Sequence, residues 1–214
     1  MRFSDPPLAR TIGAMPGRSR ATWESAVVVR VPSLDQTIAE LRRRFGLPLK
    51  PNGIRPHVTV TIPFLPAARL RNDGELPALR ALCARFNAFG VSFPRTARFP
   101  RVLYLTPEPA EPFIELAAAL MERWPEIGPY AGGNQELVPH LTVGTSRPPR
   151  VFDAVAEALR PQLPLCVRIE AAQLYLFDGR RWTESASLAF AVSPEGDRQR
   201  RRDSAPSADS MPRR

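Results

Sequence analysis

The chain has 214 residues, 43% of them apolar, enough for one large core or two small lobes. Its formal charge of +9 rests almost wholly on arginine, since Lys50 is the only lysine, and much of it lies in the ends. The moderately basic body that remains suits an anionic substrate without requiring nucleic acid. With two isolated cysteines, two histidines and no apolar run near 18 residues, the composition argues against a disulfide framework, a zinc site and a membrane span.

Residues 1–22 mix Arg, Pro, Gly and Ser without an apolar stretch, so they read as a disordered tail, neither signal peptide nor anchor. Ser25 to Val31 is a β-branched run and the first expected strand. Ser33 and Gln36 then have the spacing of a capping box, and Leu34, Ile38, Leu41 and Phe45 follow at helical intervals up to Gly46. A Pro/Gly-rich loop leads into a second strand at 56–64, and 65–75 reads as another loop. Pro77 is placed to open a helix carrying Leu79, Leu82, Cys83 and Phe86. Strands are expected at 91–99 and 101–106, then a helix from about Pro109 with Phe113, Leu116, Leu120 and Trp124, closed by Pro125. A Gly-containing loop, 125–138, delivers a strand at 139–145. Pro148 and Pro149 precede a short helix over 151–160. Leu165 to Phe177 reads as one long strand, turned at Asp178-Gly179 into a returning strand, Arg181 to Val192. The Arg-rich stretch 193–214 lacks apolar periodicity and reads as a second disordered tail. Residues 23–192 therefore form one α+β domain in which a similar unit is used twice. Cys83 and Cys166 are expected in the core, reduced, as in a cytoplasmic protein.

The chemistry sits in one pentapeptide that occurs twice: Pro56-His57-Val58-Thr59-Val60 and Pro139-His140-Leu141-Thr142-Val143. These contain both histidines of the chain, so the repeat is an internal one. Side chains alternate along a strand, so His57 and Thr59 share one face while Val58 and Val60 share the other, and the second copy repeats this. Two imidazoles suit paired acid and base work near neutral pH, and two threonine hydroxyls can donate to anionic oxygens. That set fits a phosphodiester, without metal or covalent intermediate.

Two H-x-T-hydrophobic motifs about eighty residues apart, each on a strand of such a unit, resemble the 2H phosphoesterase superfamily, and within it the 2′-5′ RNA ligase and cyclic phosphodiesterase group. The resemblance spans residues 25–192. It implies a bilobal fold with two pseudo-symmetric lobes around a central cleft, and opening of 2′,3′-cyclic phosphates on RNA ends or nucleotides, in some members with 2′-5′ joining or cleavage. It implies no cofactor and no metal. It matches His57 and His140 to the catalytic histidines and Thr59 and Thr142 to the phosphate-binding residues. Some members carry a basic residue closely after the second motif; here Gly144, Thr145 and Ser146 intervene before Arg147.

Around the motifs, Arg55 and Arg147 are candidates to meet phosphate, and Tyr130 is the best placed of Tyr130, Phe64 and Tyr104 to stack on a base. Trp23, Trp124 and Trp182 read as structural. Gly132-Gly133 fits no phosphate-loop spacing. The expected partner is an RNA end or nucleotide bearing a cyclic phosphate, taken by a monomer away from membranes. Two further classes remain open from sequence. One is a phosphodiesterase acting on a small non-RNA cyclic phosphate such as an ADP-ribose derivative. The other is a non-catalytic module that binds nucleotide or RNA ends.

Overall fold

A computed structural model describes residues 25–49, 53–72, 74–127, 137–146 and 149–192. Both expected tails, Trp23, Tyr130, Gly132-Gly133 and Arg147 lie outside the described residues. In chain order the strands are β1 (Ser25–Arg30), β2 (His57–Thr61), β3 (Phe89–Phe99), β4 (Val102–Glu108), β5 (Leu141–Thr145), β6 (Leu165–Ile169), β7 (Ala171–Phe177) and β8 (Trp182–Ala189). The helices are α1 (Asp35–Arg44), α2 (Ala67–Asn72), α3 (Glu75–Cys83), α4 (Glu111–Arg123) and α5 (Val151–Leu159).

The strands form one antiparallel sheet in the order β6-β3-β4-β5-β2-β1-β7-β8. Its centre is the seam between β2 and β5, the two motif strands, with three strands outside each. The halves are not successive stretches of chain. After β2 the chain crosses over, builds the whole second half as β3 to β6, and returns to complete the first half with β7 and β8.

That return dictates the sheet's curvature. Where one strand was expected from Leu165 to Phe177, the chain breaks at Glu170 into β6 and β7. These stand six strand spacings apart in the sheet, roughly 29 Å if it were flat. A one-residue link reaches no more than about 7 Å, so the sheet must curl until its ends approach. Backbone bonds hold the curl: Phe190 N donates to Glu170 O at 2.8 Å, Ala88 N to Ala191 O at 2.8 Å and Ala191 N to Phe86 O at 2.7 Å.

The helices feed one core on one face of the sheet. Ile38 and Leu41 of α1, Leu79 and Leu82 of α3, Phe113, Leu116 and Leu120 of α4, and Phe152, Val155 and Leu159 of α5 pack with Val58, Val60, Leu141 and Val143. Each such side chain, fully buried, contributes about 1.5–3 kcal/mol. A smaller cluster, Ala26, Val28 and Tyr175 with Ile54, Ile62 and Trp182 against it, contains no helical residue. Among the described residues the motif face thus stays clear of the helices.

Several expectations change in detail. The Ser33/Gln36 capping box does not form: a 3-10 turn over Pro32–Leu34 runs straight into α1, no side chain caps it, and Gln36 bonds Glu40 instead. The stop at Gly46 does form. Its φ of 61° lets Leu47 N reach Arg42 O and Gly46 N reach Arg43 O, the pairing that closes a helix through a left-handed residue. The expected loop 65–75 contains α2, and α3 starts two residues before Pro77. Cys83 is buried, but Cys166 is exposed, because its side of edge strand β6 faces away from the core.

Candidate active site

β2 and β5 pair antiparallel with Val58 opposite Leu141. Continuing the register one residue each way sets His57 opposite Thr142 and Thr59 opposite His140. Directly opposed residues share a face, so the two histidines and two threonines form a two-by-two block on the face away from the helices. The histidines lie on its diagonal, about 7–8 Å apart by strand geometry and somewhat less at Cβ, which leaves room for a phosphate between the rings. The seam is pseudo-two-fold about the Val58–Leu141 pair.

The symmetry extends further than the sequence repeat. Against β1, Val28 opposes Thr59 while Val27 opposes Thr61, so Val60 is an extra residue in β2. Against β4, Tyr104 opposes Thr142 while Leu103 opposes Gly144, so Val143 is an extra residue in β5. Each motif strand therefore bulges at the hydrophobic fourth position, and the alternation of burial slips there: Val60 and Thr61 are both buried, as are Val143 and Gly144. A bulge bends its strand and re-aims a neighbouring side chain, and here it directly follows the motif threonine.

The imidazoles are held alike. His57 Nδ1 donates to Arg55 O at 2.6 Å, and His140 Nδ1 donates to Val138 O at 2.8 Å, each the carbonyl two residues back. Both bonds set the neutral ring's proton on Nδ1 and its lone pair on Nε2. Burial pushes the His140 pKa below the ordinary histidine value, and its bond to Val138 offsets this in part. The rings of Phe99 and Tyr104 each lie 5.2 Å from the His140 ring and exclude water from it.

Surroundings of the first motif are polar. Arg30 Nη1 donates to Pro56 O at 2.8 Å while the same guanidinium holds both Asp35 oxygens, at 3.1 and 2.9 Å. Arg55 extends from this cluster, its side chain 75% exposed and 3.5 Å from Asp35. Tyr104 stands beside the second motif, packed on Phe99 and His140. Phe64 is in the core, edge-on to Trp124 at 5.2 Å. Arg30, Arg42 and Phe99 touch the motifs or their backbone and carry no sequence signal that separates them from ordinary arginines and strand aromatics. Among the described residues no cluster of His, Cys, Asp and Glu could hold a metal ion, and no helix is long and apolar enough to cross a membrane.

A family model described as the 2′-5′ RNA ligase superfamily matches residues 31–181. The chain belongs to that superfamily. With it comes membership of the 2H phosphoesterases. Solved structures agree at the level of fold. TT0787 of Thermus thermophilus aligns with a TM-score of 0.53 and 20% identity over 78% of this chain and 97% of that one. Escherichia coli LigT complexed with ATP gives 0.52 and 18% over 79% and 98%. The same protein complexed with 3′-AMP gives 0.50 and 17% over 78% and 98%. No curated protein matches the sequence. Two curled halves meeting at paired motif strands are thus the superfamily's α+β architecture, bilobal about a central cleft.

Proposed function

We propose that this 2′-5′ RNA ligase superfamily member is a metal-independent phosphodiesterase that opens 2′,3′-cyclic phosphates on RNA ends or nucleotides by two-histidine acid–base catalysis. The observation that carries the reading is the block of His57, Thr59, His140 and Thr142 across the seam, with both imidazoles tied at Nδ1 to the carbonyl two residues back. Two proton-transfer groups set on a diagonal, each with a hydroxyl facing it, are what an in-line displacement at phosphorus uses: one proton leaves the attacking water and another reaches the departing ribose oxygen.

The unequal surroundings favour one division of the roles. His140, its pKa lowered by burial, is neutral at pH 7, and its Nε2 lone pair takes the proton from water as the oxygen attacks phosphorus. His57 takes the acid's part in this division and gives its Nε2 proton to the ribose oxygen as the P–O bond breaks. Thr59 and Thr142 donate to the non-bridging oxygens, where charge builds up. Arg55 O and Val138 O accept from Nδ1 in both charge states, so neither ring need turn during the cycle. E. coli LigT has been solved with 3′-AMP and with ATP, which supports a nucleotide in a site of this fold.

The test is turnover of a 2′,3′-cyclic nucleotide, of a short RNA ending in a cyclic phosphate and of a cyclic phosphate of ADP-ribose, all with chelator present. Wild type is expected to open the first two, and His57→Ala and His140→Ala to lose both. Turnover of the ADP-ribose compound alone would move the substrate class. Binding without turnover of any compound would make the protein a recognition module.

A further inference from the structure

Three consecutive arginines end α1, and one of them turns inward. Arg43 and Arg44 are exposed. The guanidinium of Arg42 crosses instead to β5, where Nε donates to Val143 O at 2.9 Å and an Nη donates to Thr142 O at 3.1 Å. It is half-buried there, which lowers its pKa.

Those carbonyls are the ones the bulge frees. In a regular strand successive carbonyls point to opposite edges, out of reach of a single planar fork. The extra residue at Val143 turns both to one side. β5 pairs with β2 through one registered pair, Val58 opposite Leu141, and Arg42 serves the carbonyls of the two residues that follow it in β5. Its fork matches two adjacent acceptors, a geometry that lysine cannot reproduce. At the other end of α1, Asp35 holds Arg30, which donates to Pro56 O just ahead of His57. One ten-residue helix therefore bonds the second motif's backbone directly and reaches the first through Arg30.

We infer that Arg42 is a positioning residue for the second motif: by gripping Thr142 O and Val143 O it holds the bulge that aims the Thr142 hydroxyl and the His140 ring across the seam. This deepens, and rests on, the two-histidine reading of the site.

The variants are Arg42→Met, which keeps the stem and loses the donors, and Arg42→Lys, which keeps the charge and reaches one carbonyl. Arg42→Met is expected to lower kcat/KM on a 2′,3′-cyclic nucleotide on the order of 10²-fold, the scale of a misplacement of about 1 Å, with Arg42→Lys between it and wild type. Adding Thr142→Val to Arg42→Met should cost less than Thr142→Val alone, while Thr59→Val should cost the same in either background. A second readout needs no turnover. The chain has two histidines, so its imidazole NMR spectrum contains two rings, and Arg42→Met should shift His140 and leave His57 in place.

Full additivity with Thr142→Val, both rings moving together, or neither moving would overturn the inference. If wild type opens no cyclic phosphate while Arg42→Met still moves His140 alone, the proposed reaction fails and the positioning role stands. If Arg42→Met does not fold, Arg42→Lys carries the same ring comparison.

Discussion

Opposite Thr59, on β1, stands Val28; opposite Thr142, on β4, stands Tyr104. Next to His57 in the same register is Arg30, whereas β4 continued by one residue brings Thr106 to His140. The two pentapeptides are alike in sequence, bulge and imidazole hydrogen bond, so the repeat itself cannot make one histidine an acid and the other a base. In the proposed mechanism that distinction comes from the flanking strands. On one side an arginine, 11% exposed and neutralised by Asp35, keeps a polar wall. On the other, Phe99 and Tyr104 dry the ring. The fold supplies two equivalent motifs, and their neighbours break the equivalence.

The harshest way to break the comparison is to remove each histidine in turn. His57→Ala and His140→Ala should each lower turnover of a cyclic nucleotide by about 10²–10⁴-fold, with the thermal transition preserved because neither ring belongs to the core. Their pH profiles should differ. The bell of kcat/KM should lose its acidic limb in residual activity of His140→Ala and its alkaline limb in His57→Ala. The opposite pattern would exchange the two roles.

Next come the hydroxyls. Thr59→Val and Thr142→Val keep the volume and remove a donor each, at an expected cost on the order of 10–10³-fold in kcat. Losses within a factor of a few of each other would mean that the phosphate sits on the pseudo-two-fold axis. A loss confined to one variant would place it against one motif.

A finer test acts on the environment alone. The acidic limb of the wild-type profile should lie below about pH 6.5, the ordinary histidine value, because burial lowers the His140 pKa. Tyr104→Ala admits water to that ring and should move the limb upward, so activity at pH 6 falls more than activity at pH 8. The same shift acts on stability with a definite sign. The unfolded chain binds a proton at this histidine more readily than the folded one, so its contribution is full above about pH 6.5 and is lost as pH falls through the folded value. Denaturant unfolding at pH 7.5 and 5.5 should show a smaller difference in His140→Gln than in wild type. An equal difference would mean that the ring titrates normally.

Much of this was legible in the sequence for physical reasons that are local. SAVVVR makes β1 through branched side chains, Asp178-Gly179 makes the β7–β8 turn, and Gly46 ends α1 where the left-handed backbone needs it. The motif residues sort to their faces by strand alternation, and Val58, Val60, Leu141 and Val143 are buried as that pattern requires. What escaped depends on distant chain. Apolar residues continue across Glu170, so nothing local reveals that β6 and β7 belong to opposite halves. The bulges at Val60 and Val143 are defined by partners on β1 and β4, not by their own neighbours. Arg42, in a run of three arginines, is set apart by the strand it meets. α2 is hidden between Pro66 and Asp73-Gly74, turn-forming residues in the sequence on both sides of a six-residue helix.

The smallest effect is expected at Arg55, and it separates two of the arginines near the motifs. Arg42 is drawn inward to backbone carbonyls; Arg55 projects outward, and its 3.5 Å tie to Asp35 is a surface ion pair of the kind worth about 0–1 kcal/mol. Its side chain should be dispensable for a substrate that ends at the cyclic phosphate, so Arg55→Ala should change kcat/KM on a cyclic mononucleotide by less than about twofold. A longer RNA brings further phosphates to the rim of the cleft, where an exposed guanidinium is available. There the same variant should weaken binding severalfold at low salt and reduce the salt slope by about one. Equal losses on both substrates would put Arg55 at the scissile phosphate itself, and no loss on either would leave it to Asp35 alone. Because the substitution leaves Arg55 O, the acceptor for His57 Nδ1, in place, the comparison reads the charge and not the imidazole.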